Sequence, residues 1–557
     1  MIVTLFSNSL KKLALFLGLV TFLIAGWLIA DLIYFRPIAP WFDELWNLYP
    51  SLLFLGIDNK VWVGCSNGLC VHLFGYTIPI LSGPYHGLIK SLVFAPLVLL
   101  GNLSLIRLFN LIIFFSPLLY LFFQRAYFGK RGIFLLITTY YLLFPTLLVE
   151  ATFDQGQFIF ANSFLFIALL ELIKFLQTQA PKNAGIALIL SGLAIYEKLT
   201  NVPVGIAIFL VAGLFLLYRK SYFWLCISLG CGLIFLMPYL FFIWKNPSLF
   251  AGMTDIPHEA YAVNLKTVLL GSYAAIFLNS ITLNGFLGKS YPVLIPLLGV
   301  GIFVLTWGFM GQQLLFTLFA RLAKLPISVL PAAPSRQAKT AWQAWAVLFL
   351  PLLALLIFPI FDGINRPWHL YQLAPLLCVP IAYLSLQNPK TLSAPKKLWG
   401  MIENYVLGLI LLAALVNTVS LVFPAWRQER VHPYDPSLFF TAQAIRSLPG
   451  PKQLVCIDYS ICGNLIFLLG PQYKALADWA HVPSDKICQH LMRLEHEDYL
   501  FISRIDHPNP LASEWERLMR GNSQFFEDHC AHGFEKVNPP LASEGLPNYL
   551  IYRHPSK

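Results

Sequence analysis

Two adjacent carboxylates stand in an aromatic stretch near the start of the chain, PWFDELWNLYPSLL (40–53). Asp43 and Glu44 follow directly on an apolar run of about twenty residues, which is the length that crosses a bilayer. A carboxylate at the end of a membrane span suits general-base chemistry on a hydroxyl group. The alternative is a structural role, either as a solvated pair in a loop or as a cap for a helix that begins near Leu45.

Further ionisable residues lie at the ends of other apolar runs. Lys90 follows GPYHGLI, Asp154 lies in EATFDQGQF, and Lys198 lies in LAIYEKLTNVP. Arg366 and His369 lie in FDGINRPWHLYQLAP. Acids from two loops that face bases from other loops suit a site that binds an anion and activates a hydroxyl.

Each of these residues also has a structural alternative. Lys198 and Arg366 suit cationic anchors that reach the membrane surface. Asp154 suits the N-terminal cap of the next span, and His369 suits an interfacial hydrogen bond. Because all of them fall on one face of the membrane, a shared site explains them better than a set of unrelated structural roles.

The elements that position these residues are membrane spans. Of the 557 residues, 57% are hydrophobic and 12% are charged, and the mean hydropathy is +0.67. A soluble domain of this composition would expose large apolar patches, so the sequence indicates a polytopic membrane protein. The net charge of +11 comes from short basic clusters between apolar runs. This distribution is typical of the positive-inside pattern, and it argues against a nucleic-acid partner.

The hydropathy pattern predicts about eleven transmembrane helices. They cover approximately 13–34, 105–124, 132–149, 157–175, 184–197, 201–218, 222–243, 290–318, 343–361, 368–387 and 402–424. The segment 88–101 is shorter and is predicted to lie along the interface, and 262–280 is ambiguous in the same way. Lys11 and Lys12 precede the first span, which places the N-terminus in the cytoplasm and Asp43 outside.

The composition changes after about residue 428, where the apolar runs end. Short strands are predicted in KQLVCIDYS, DYLFISRI and PNYLIYRH. We therefore expect a transmembrane domain over 1–428, with its first outer loop at 35–104, and a small extracytoplasmic α/β domain over 429–557.

The cysteines fall into groups that match this division. Six lie in segments predicted to be outside, where disulfides form: Cys65, Cys70, Cys456, Cys462, Cys488 and Cys530. Three lie in predicted spans and suit packing: Cys226, Cys231 and Cys378. The sequence DHCAH (528–532) also fits a zinc site, although a disulfide at Cys530 would exclude that sulfur.

The order of these motifs resembles the GT-C superfamily of integral-membrane glycosyltransferases. The similar branch contains the protein O-mannosyltransferases and the aminoarabinose transferase that modifies lipid A. The resemblance covers about residues 10–390 and rests on five features: Asp43–Glu44 after the first span, GPYHGLIKSLVFAPLVLLG followed by IRLFN, Asp154 before the fourth span, Lys198 after the fifth span, and the segment from Arg366 through Tyr371 to Pro375.

The resemblance implies transfer of a sugar from a polyprenyl phosphate to an acceptor hydroxyl at the outer face, with inversion and with Asp43 as general base. Glu44 and Asp154 would orient the acceptor or act on the base through like-charge proximity. The donor phosphate would be bound by cationic residues: Lys198, Arg366, His369 and Lys90. Aromatic residues would stack on the sugar or anchor the interface: Trp41, Trp46, Tyr85, Trp368 and Tyr371.

The resemblance also bears on cofactors, partners and location. We expect no required cofactor, although acids of this kind hold a divalent cation such as Mg²⁺ or Mn²⁺ in the oligosaccharyltransferase branch. The expected partners are the lipid-linked donor, membrane lipids, and an acceptor glycan, lipid or protein. The expected location is a bacterial inner membrane.

Other classes of membrane protein remain as alternatives. A secondary transporter or flippase would carry charges near the bilayer midplane on broken helices, whereas these spans are mostly uncharged through their middles. A glycan polymerase or ligase of another fold would share the lipid donor, and a scaffold would use the C-terminal region to bind a partner.

Overall fold

The computed structural model describes residues 69–83, 86–124, 158–247, 437–449, 453–457, 473–476, 499–504, 525–537 and 549–553, together with 48, 50, 127, 151–152, 154, 350, 353–354, 465, 468–470, 488–489 and 491. The chain divides into two compact units. The first contains Met1–Asp31 and Phe109–Glu429, and the second contains Leu32–Leu108 and Arg430–Lys557.

The described helices are α1 (Ile89–Leu100), α2 (Leu103–Phe123), α3 (Phe158–Thr178), α4 (Pro181–Glu197), α5 (Leu199–Tyr218), α6 (Tyr222–Lys245) and α7 (Ser437–Ser447). The described strands are β1 (Cys70–Leu73), β2 (Tyr76–Pro79), β3 (Gln453–Cys456), β4 (Lys474–Leu476), β5 (Tyr499–Arg504), β6 (Glu535–Val537) and β7 (Tyr549–Arg553). Within α5, a 3₁₀ turn forms Leu199–Asn201 and a π-helical segment forms Phe209–Gly213.

Four described helices, α2, α3, α5 and α6, are long and apolar enough to cross a membrane. α4 has 17 residues and is therefore about 26 Å long. The four long helices confirm the predicted spans over 105–124, 157–175, 201–218 and 222–243. α4 coincides with the segment predicted at 184–197, and every boundary lies within three residues of its prediction. The other predicted spans, and the segment 262–280, lie outside the described residues except for 350 and 353–354.

α2 and α3 run side by side in the same direction. Asn110 Nδ2 donates to the Thr152 carbonyl at 3.0 Å, and Ser163 Oγ donates to the Ile113 carbonyl at 3.0 Å. The chain between them contains the span predicted at 132–149, which lies outside the described residues.

α3 and α4 form an antiparallel hairpin with a two-residue connection. Gln179 takes a left-handed conformation with φ +59°, and Pro181 begins α4, where its missing N–H costs no helical bond. Thr178 Oγ1 accepts hydrogen bonds from Asn183 Nδ2 at 3.0 Å and from the Ala180 N–H at 3.3 Å. These bonds satisfy polar groups at the point where one helix ends and the next begins.

α4 and α6 run parallel, and α5 connects them in the opposite direction. Ser228 Oγ donates to the Gly185 carbonyl at 3.3 Å near the start of both helices. The Tyr239 hydroxyl donates to the Tyr196 carbonyl at 2.5 Å near their ends. The first unit therefore contains an array of up and down helices in which α3 is largely buried and α6 is largely exposed.

This array has two distinguishable ends. The starts of α3 and α5 and the ends of α4 and α6 lie at one end, which we call the Asp154 end. The end of α3, the start of α4 and the Arg219–Lys220 turn lie at the other, which we call the Lys174 end.

The C-terminal part of the second unit contains a five-stranded sheet in the order β4-β3-β5-β7-β6. β3 pairs in parallel with β4 and β5, whereas β7 pairs antiparallel with β5 and β6. One face packs Leu454, Leu500 and Ile551 against α7, and the other packs Val455 and Phe501 against an aromatic cluster. The strands predicted in KQLVCIDYS, DYLFISRI and PNYLIYRH are confirmed as β3, β5 and β7.

The second unit also contains a β-hairpin and α1. β1 and β2 pair antiparallel, with Cys70 opposite Pro79. α1 follows this hairpin and has 12 residues, a length of about 18 Å. Because the hydrocarbon core of a bilayer is about 30 Å thick, α1 is too short to cross it. This agrees with the prediction that 88–101 does not span the membrane.

Candidate functional site

Asp154 caps the first turn of α3. Its Oδ1 atom accepts hydrogen bonds from the N–H groups of Phe158 at 2.9 Å and Ile159 at 3.0 Å. The residue is fully buried, and its backbone takes a left-handed conformation with φ +47°. The capping role that the sequence left open is therefore confirmed. Both capping bonds end on one oxygen, so Oδ2 has no part in the cap.

Lys198 occupies the break between α4 and α5. Its backbone is extended, with φ −147° and ψ 109°, and only 1% of the residue is exposed. The Lys198 N–H and the Asn201 Nδ2 both donate to the Ala194 carbonyl at 3.0 Å, and the Asn201 N–H donates to the Lys198 carbonyl at 2.9 Å. Lys198 is therefore fixed by a rigid helix junction. Its burial departs from the snorkelling alternative, in which the ammonium group would reach water.

Glu197 is a buried acid that the sequence analysis did not assign. It is the last residue of α4 and is 0% exposed, directly beside Lys198 in the chain. Buried acids in membrane helices are costly unless they are paired or functional. The signal was present in the sequence as the adjacent pair in YEKLTN, but only the fold shows that Glu197 points away from solvent.

A tyrosine from α6 supports this helix junction. Tyr239 is 2% exposed, and its hydroxyl donates to the Tyr196 carbonyl, one residue before Glu197. The rings of Tyr196 and Tyr239 lie 6.3 Å apart in an edge-to-face arrangement. Tyr239 therefore ties the end of α4 to α6. No local pattern in the sequence indicates this contact, because the two residues are 43 positions apart.

The fold brings Asp154 and Lys198 to the same end of the helical array. Asp154 precedes α3, Lys198 follows α4, and these two helices form one antiparallel hairpin. A buried acid and a buried base thus stand at the Asp154 end, as the predicted sidedness requires. This arrangement provides one cationic group for an anionic ligand and carboxylate groups for orienting a hydroxyl.

The Lys174 end holds a separate polar cluster. The Tyr120 hydroxyl and Lys174 Nζ both donate to Glu171 Oε1, and the Lys174 distance is 3.3 Å. Lys174 also lies over the ring of Tyr127, 5.0 Å from its centroid. These contacts join α3 to the end of α2, so Glu171 belongs to a structural ion pair outside the candidate site.

Lys90 lies in the second compact unit, on α1. It is 0% exposed, and its Nζ lies 5.9 Å from the centroid of the Phe94 ring. His86 is also buried, in the turn that precedes α1, and sequence reasoning had not assigned it. The burial of Lys90 fits a functional or paired cation better than a surface anchor.

The remaining predicted site residues lie outside the described residues: Trp41, Asp43, Glu44, Trp46, Tyr85, Arg366, Trp368, His369 and Tyr371. In the described part of the chain, no group of three His, Cys, Asp or Glu residues is arranged to hold a metal ion. Cys530 forms a disulfide with Cys488, so its sulfur is not available to the zinc site considered for DHCAH.

The whole chain is similar in fold to a solved membrane protein. A crystal structure of ArnT from Cupriavidus metallidurans bound to undecaprenyl phosphate matches 99% of this chain and 98% of its own, with a TM-score of 0.51 and 12% sequence identity. ArnT is a lipid A aminoarabinose transferase of the GT-C superfamily. The chain has the GT-C fold. This confirms the resemblance seen in the sequence and the polytopic helical membrane architecture.

A second structure of ArnT and two comparisons at the level of sequence complete these findings. The apo structure of the same ArnT matches with a TM-score of 0.44, 12% identity, and coverage of 99% of this chain and 98% of its own. No family model matches the sequence, and no curated protein matches it. At 12% identity the likeness concerns the fold, so the chemistry depends on the residues of the site.

Proposed function

We propose that this protein transfers a sugar from a polyprenyl phosphate, such as undecaprenyl phosphate, to an acceptor hydroxyl. The observation that carries the proposal is the burial of Asp154 and Lys198 at one end of the array. Buried ionisable residues in membrane proteins are typically paired or functional, and a lipid phosphate lies at the level of the ends of membrane helices. The GT-C fold, shared with an ArnT that binds undecaprenyl phosphate, supports the same donor class.

The reaction is a single displacement with inversion. Asp43 takes the proton of the acceptor hydroxyl while its oxygen forms a bond to the anomeric carbon. The bond from that carbon to the phosphate oxygen breaks, and the lipid phosphate leaves with the electron pair. Lys198, with Arg366, His369 and Lys90, stabilises the negative charge on the departing phosphate. Glu44 and Asp154 orient the acceptor, and no metal is required.

The charge distribution of the array supports an orientation for the protein. Arg219 and Lys220 lie at the Lys174 end, together with Lys174 and Lys182. By the positive-inside rule this end faces the cytoplasm, and the Asp154 end faces outward. The proposal therefore includes about eleven spans, an extracytoplasmic C-terminal domain, and a bacterial inner membrane. The disulfide between Cys488 and Cys530 supports an oxidising compartment for that domain.

Native mass spectrometry of the purified protein with undecaprenyl phosphate tests the phosphate site. We expect the wild type to retain one lipid. Lys198→Gln should lower the affinity by about one to two orders of magnitude, since a hydrogen bond to a charged group contributes about 1.5–3 kcal/mol. Lys174→Gln is the matched control, because it removes a Lys from the same helical array at the opposite end.

Equal lipid affinity in the wild type and Lys198→Gln would remove Lys198 from the phosphate site. Turnover with a panel of polyprenyl-phosphate sugars then separates an enzyme from a flippase. Asp43→Asn should reduce transfer by about two to four orders of magnitude while leaving lipid retention intact. Transport of the lipid without formation of a glycosidic bond would contradict the proposed function.

A further inference from the structure

The β1–β2 hairpin exposes apolar side chains at its tip. Phe74 is 90% exposed, Tyr76 is 74% exposed, and Leu73 is 49% exposed. Leu73 and Tyr76 are register partners on either side of the turn, so the three side chains are close together. An exposed apolar patch that is built into a defined turn indicates a contact with something outside the chain.

The turn itself does not explain why position 74 is Phe. Phe74 and Gly75 have φ values of +51° and +82°, which are typical of a type I′ turn. Asn, Asp or Gly suits the first of these positions, whereas a bulky aromatic residue is rare there. Packing does not explain it either, since the described part of the chain leaves the side chain exposed. An apolar environment outside the protein best explains the exposed ring of Phe74.

The composition around the hairpin identifies that environment. Residues 61–89 contain no Lys, Arg, Asp or Glu. A loop tip in water usually carries charge, whereas a charge inserted into the lipid interface is costly. Aromatic and apolar residues without charges are typical of segments at the membrane surface.

The hairpin directly precedes two apolar helices in the chain. The Ile80 N–H donates to the Leu69 carbonyl at 2.8 Å at its base, and the Ser82 N–H donates to the His86 carbonyl at 3.1 Å in the next turn. α1 begins three residues after His86, and α2, which is long enough to span a bilayer, follows it directly. Because each strand has four residues, the tip extends only about 13 Å from this base.

α1 also exposes an apolar face. Leu92, Val93, Leu99 and Leu100 are all about half exposed or more, and they lie on one side of the helix. Exposure of such an apolar face to water is unfavourable, whereas contact with lipid is favourable. The hairpin therefore precedes, within the same unit, an element whose exposed side is apolar as well.

We propose that the hairpin tip, Leu73–Tyr76, inserts into the lipid surface of the membrane. The partner is the interfacial region of the bilayer, which accepts aromatic and apolar side chains without a specific pocket. This proposal needs the membrane setting but does not depend on the transferase function. A failure of either one leaves the other standing.

Photo-crosslinking of the full chain tests the proposal. The photoreactive analogue p-benzoylphenylalanine replaces Phe74 in protein reconstituted into vesicles of phosphatidylethanolamine and phosphatidylglycerol. We expect a phospholipid adduct on the hairpin peptide by mass spectrometry. The matched control carries the same analogue at Lys536, an exposed position on β6 of the same unit, and should give at least about tenfold less lipid adduct.

A second variant separates the lipid contact from the fold of the hairpin. Phe74→Asn provides a residue that favours the turn but removes the apolar ring. With the photoreactive analogue at Tyr76, Phe74→Asn should leave the hairpin folded and lose most of the lipid adduct. Adducts confined to protein, whether to the same chain, a second copy or an added acceptor, would overturn the proposal. Equal lipid labelling at Phe74 and Lys536 would overturn it as well.

Discussion

At the level of single residues, buried charges at the Asp154 end are fixed by the backbone. Asp154 is held by the first turn of α3 and Lys198 by the break between α4 and α5. Groups on rigid helix ends keep a constant position, which is what phosphate binding and acceptor orientation require. Asp154 thus combines a structural role with a candidate chemical role, and the two can be separated by mutation.

Asp154→Asn and Asp154→Ala should have different consequences. Asn retains a capping oxygen and tolerates the left-handed backbone, so we expect little loss of stability. Ala loses the cap and should destabilise α3 by about 1–2 kcal/mol. Thermal unfolding in detergent measures this difference, and transfer activity measures the role of the charge. If Asn retains full turnover, Asp154 is a cap only.

Tyr239→Phe tests the support of the Lys198 junction. The substitution removes one hydroxyl and leaves the Tyr196 carbonyl without that donor, which should cost about 1–2 kcal/mol of stability. We also expect weaker retention of undecaprenyl phosphate, since the end of α4 loses its tie to α6. Tyr196→Phe is the control, because its backbone carbonyl is unchanged. A lower turnover number with unchanged lipid affinity would argue against the role of Tyr239 in positioning Lys198.

At the level of elements, α4 and α6 approach closely through small residues. A Cβ atom at Gly185 would lie 2.6 Å from Cε3 of Trp224 and 3.3 Å from its Cβ. Gly192 faces Phe235 in the same interface, with a Cβ contact of 3.0 Å. Such glycines let membrane helices pack tightly without a hydrophobic driving force between them.

Gly185→Ala should therefore destabilise the array. Overpacking of a tight interface costs about 1–3 kcal/mol, and the contact with Trp224 Cβ, an atom fixed by the backbone of α6, limits relaxation. Gly230→Ala is the control, because a Cβ there meets nothing within 4 Å and Ala is the better helix former. The thermal midpoint in detergent compares the two variants. A midpoint for Gly185→Ala at or above that of Gly230→Ala would contradict this interface.

At the level of the whole molecule, the region of the C-terminal sheet is cross-linked by a disulfide and by an ion pair between two strands. Cys488 and Cys530 close a loop with a sequence separation of 42 residues. Glu535 and Arg553 are register partners on β6 and β7 and share two hydrogen bonds of 2.9 Å. Cys70 and Cys456 are disulfide-bonded as well, so the expectation of disulfides in these two segments is confirmed.

Replacement of Cys488 and Cys530 by Ser should destabilise the sheet region. In the chain-entropy model, a loop of this length gives a stabilisation of about 4 kcal/mol. We expect faster hydrogen exchange in β3, β5 and β7 and little change in α3 and α4. Hydrogen exchange with mass spectrometry measures both regions at once. Unchanged exchange in the sheet would mean that the disulfide does not contribute to its stability.

Acidic pH should weaken the contribution of Glu535 to the stability of the fold. Hydrogen bonds from Arg553, together with its charge, lower the pKa of Glu535 below its usual value. Because the pKa is lower in the folded state, this stabilisation is present above the unfolded pKa near 4.5 and is lost as the pH falls through the folded value. The difference in unfolding midpoint between the wild type and Glu535→Gln should therefore shrink from neutral to acid pH. Added salt should also reduce this difference in midpoint, since Glu535 and Arg553 are both exposed.

Much of the membrane domain was predictable because its signal is local. Four described spans and the short helix α1 follow from the length of apolar runs, since a bilayer fixes how many residues a crossing needs. The strands β3, β5 and β7 were predictable from short β-branched and aromatic runs. β4 and β6 were missed, because three-residue strands depend on their neighbours in the sheet and carry little signal of their own.

The sequence by itself determined the membrane class, the common end of Asp154 and Lys198 and the GT-C resemblance, because hydropathy and motif order are properties of the linear chain. Only the tertiary structure decided that Asp154 is a helix cap, that Lys198 and Glu197 are buried, and that Tyr239 holds their junction. Burial and contact join residues that are far apart in the chain. They arise when helices pack, so no local pattern contains them.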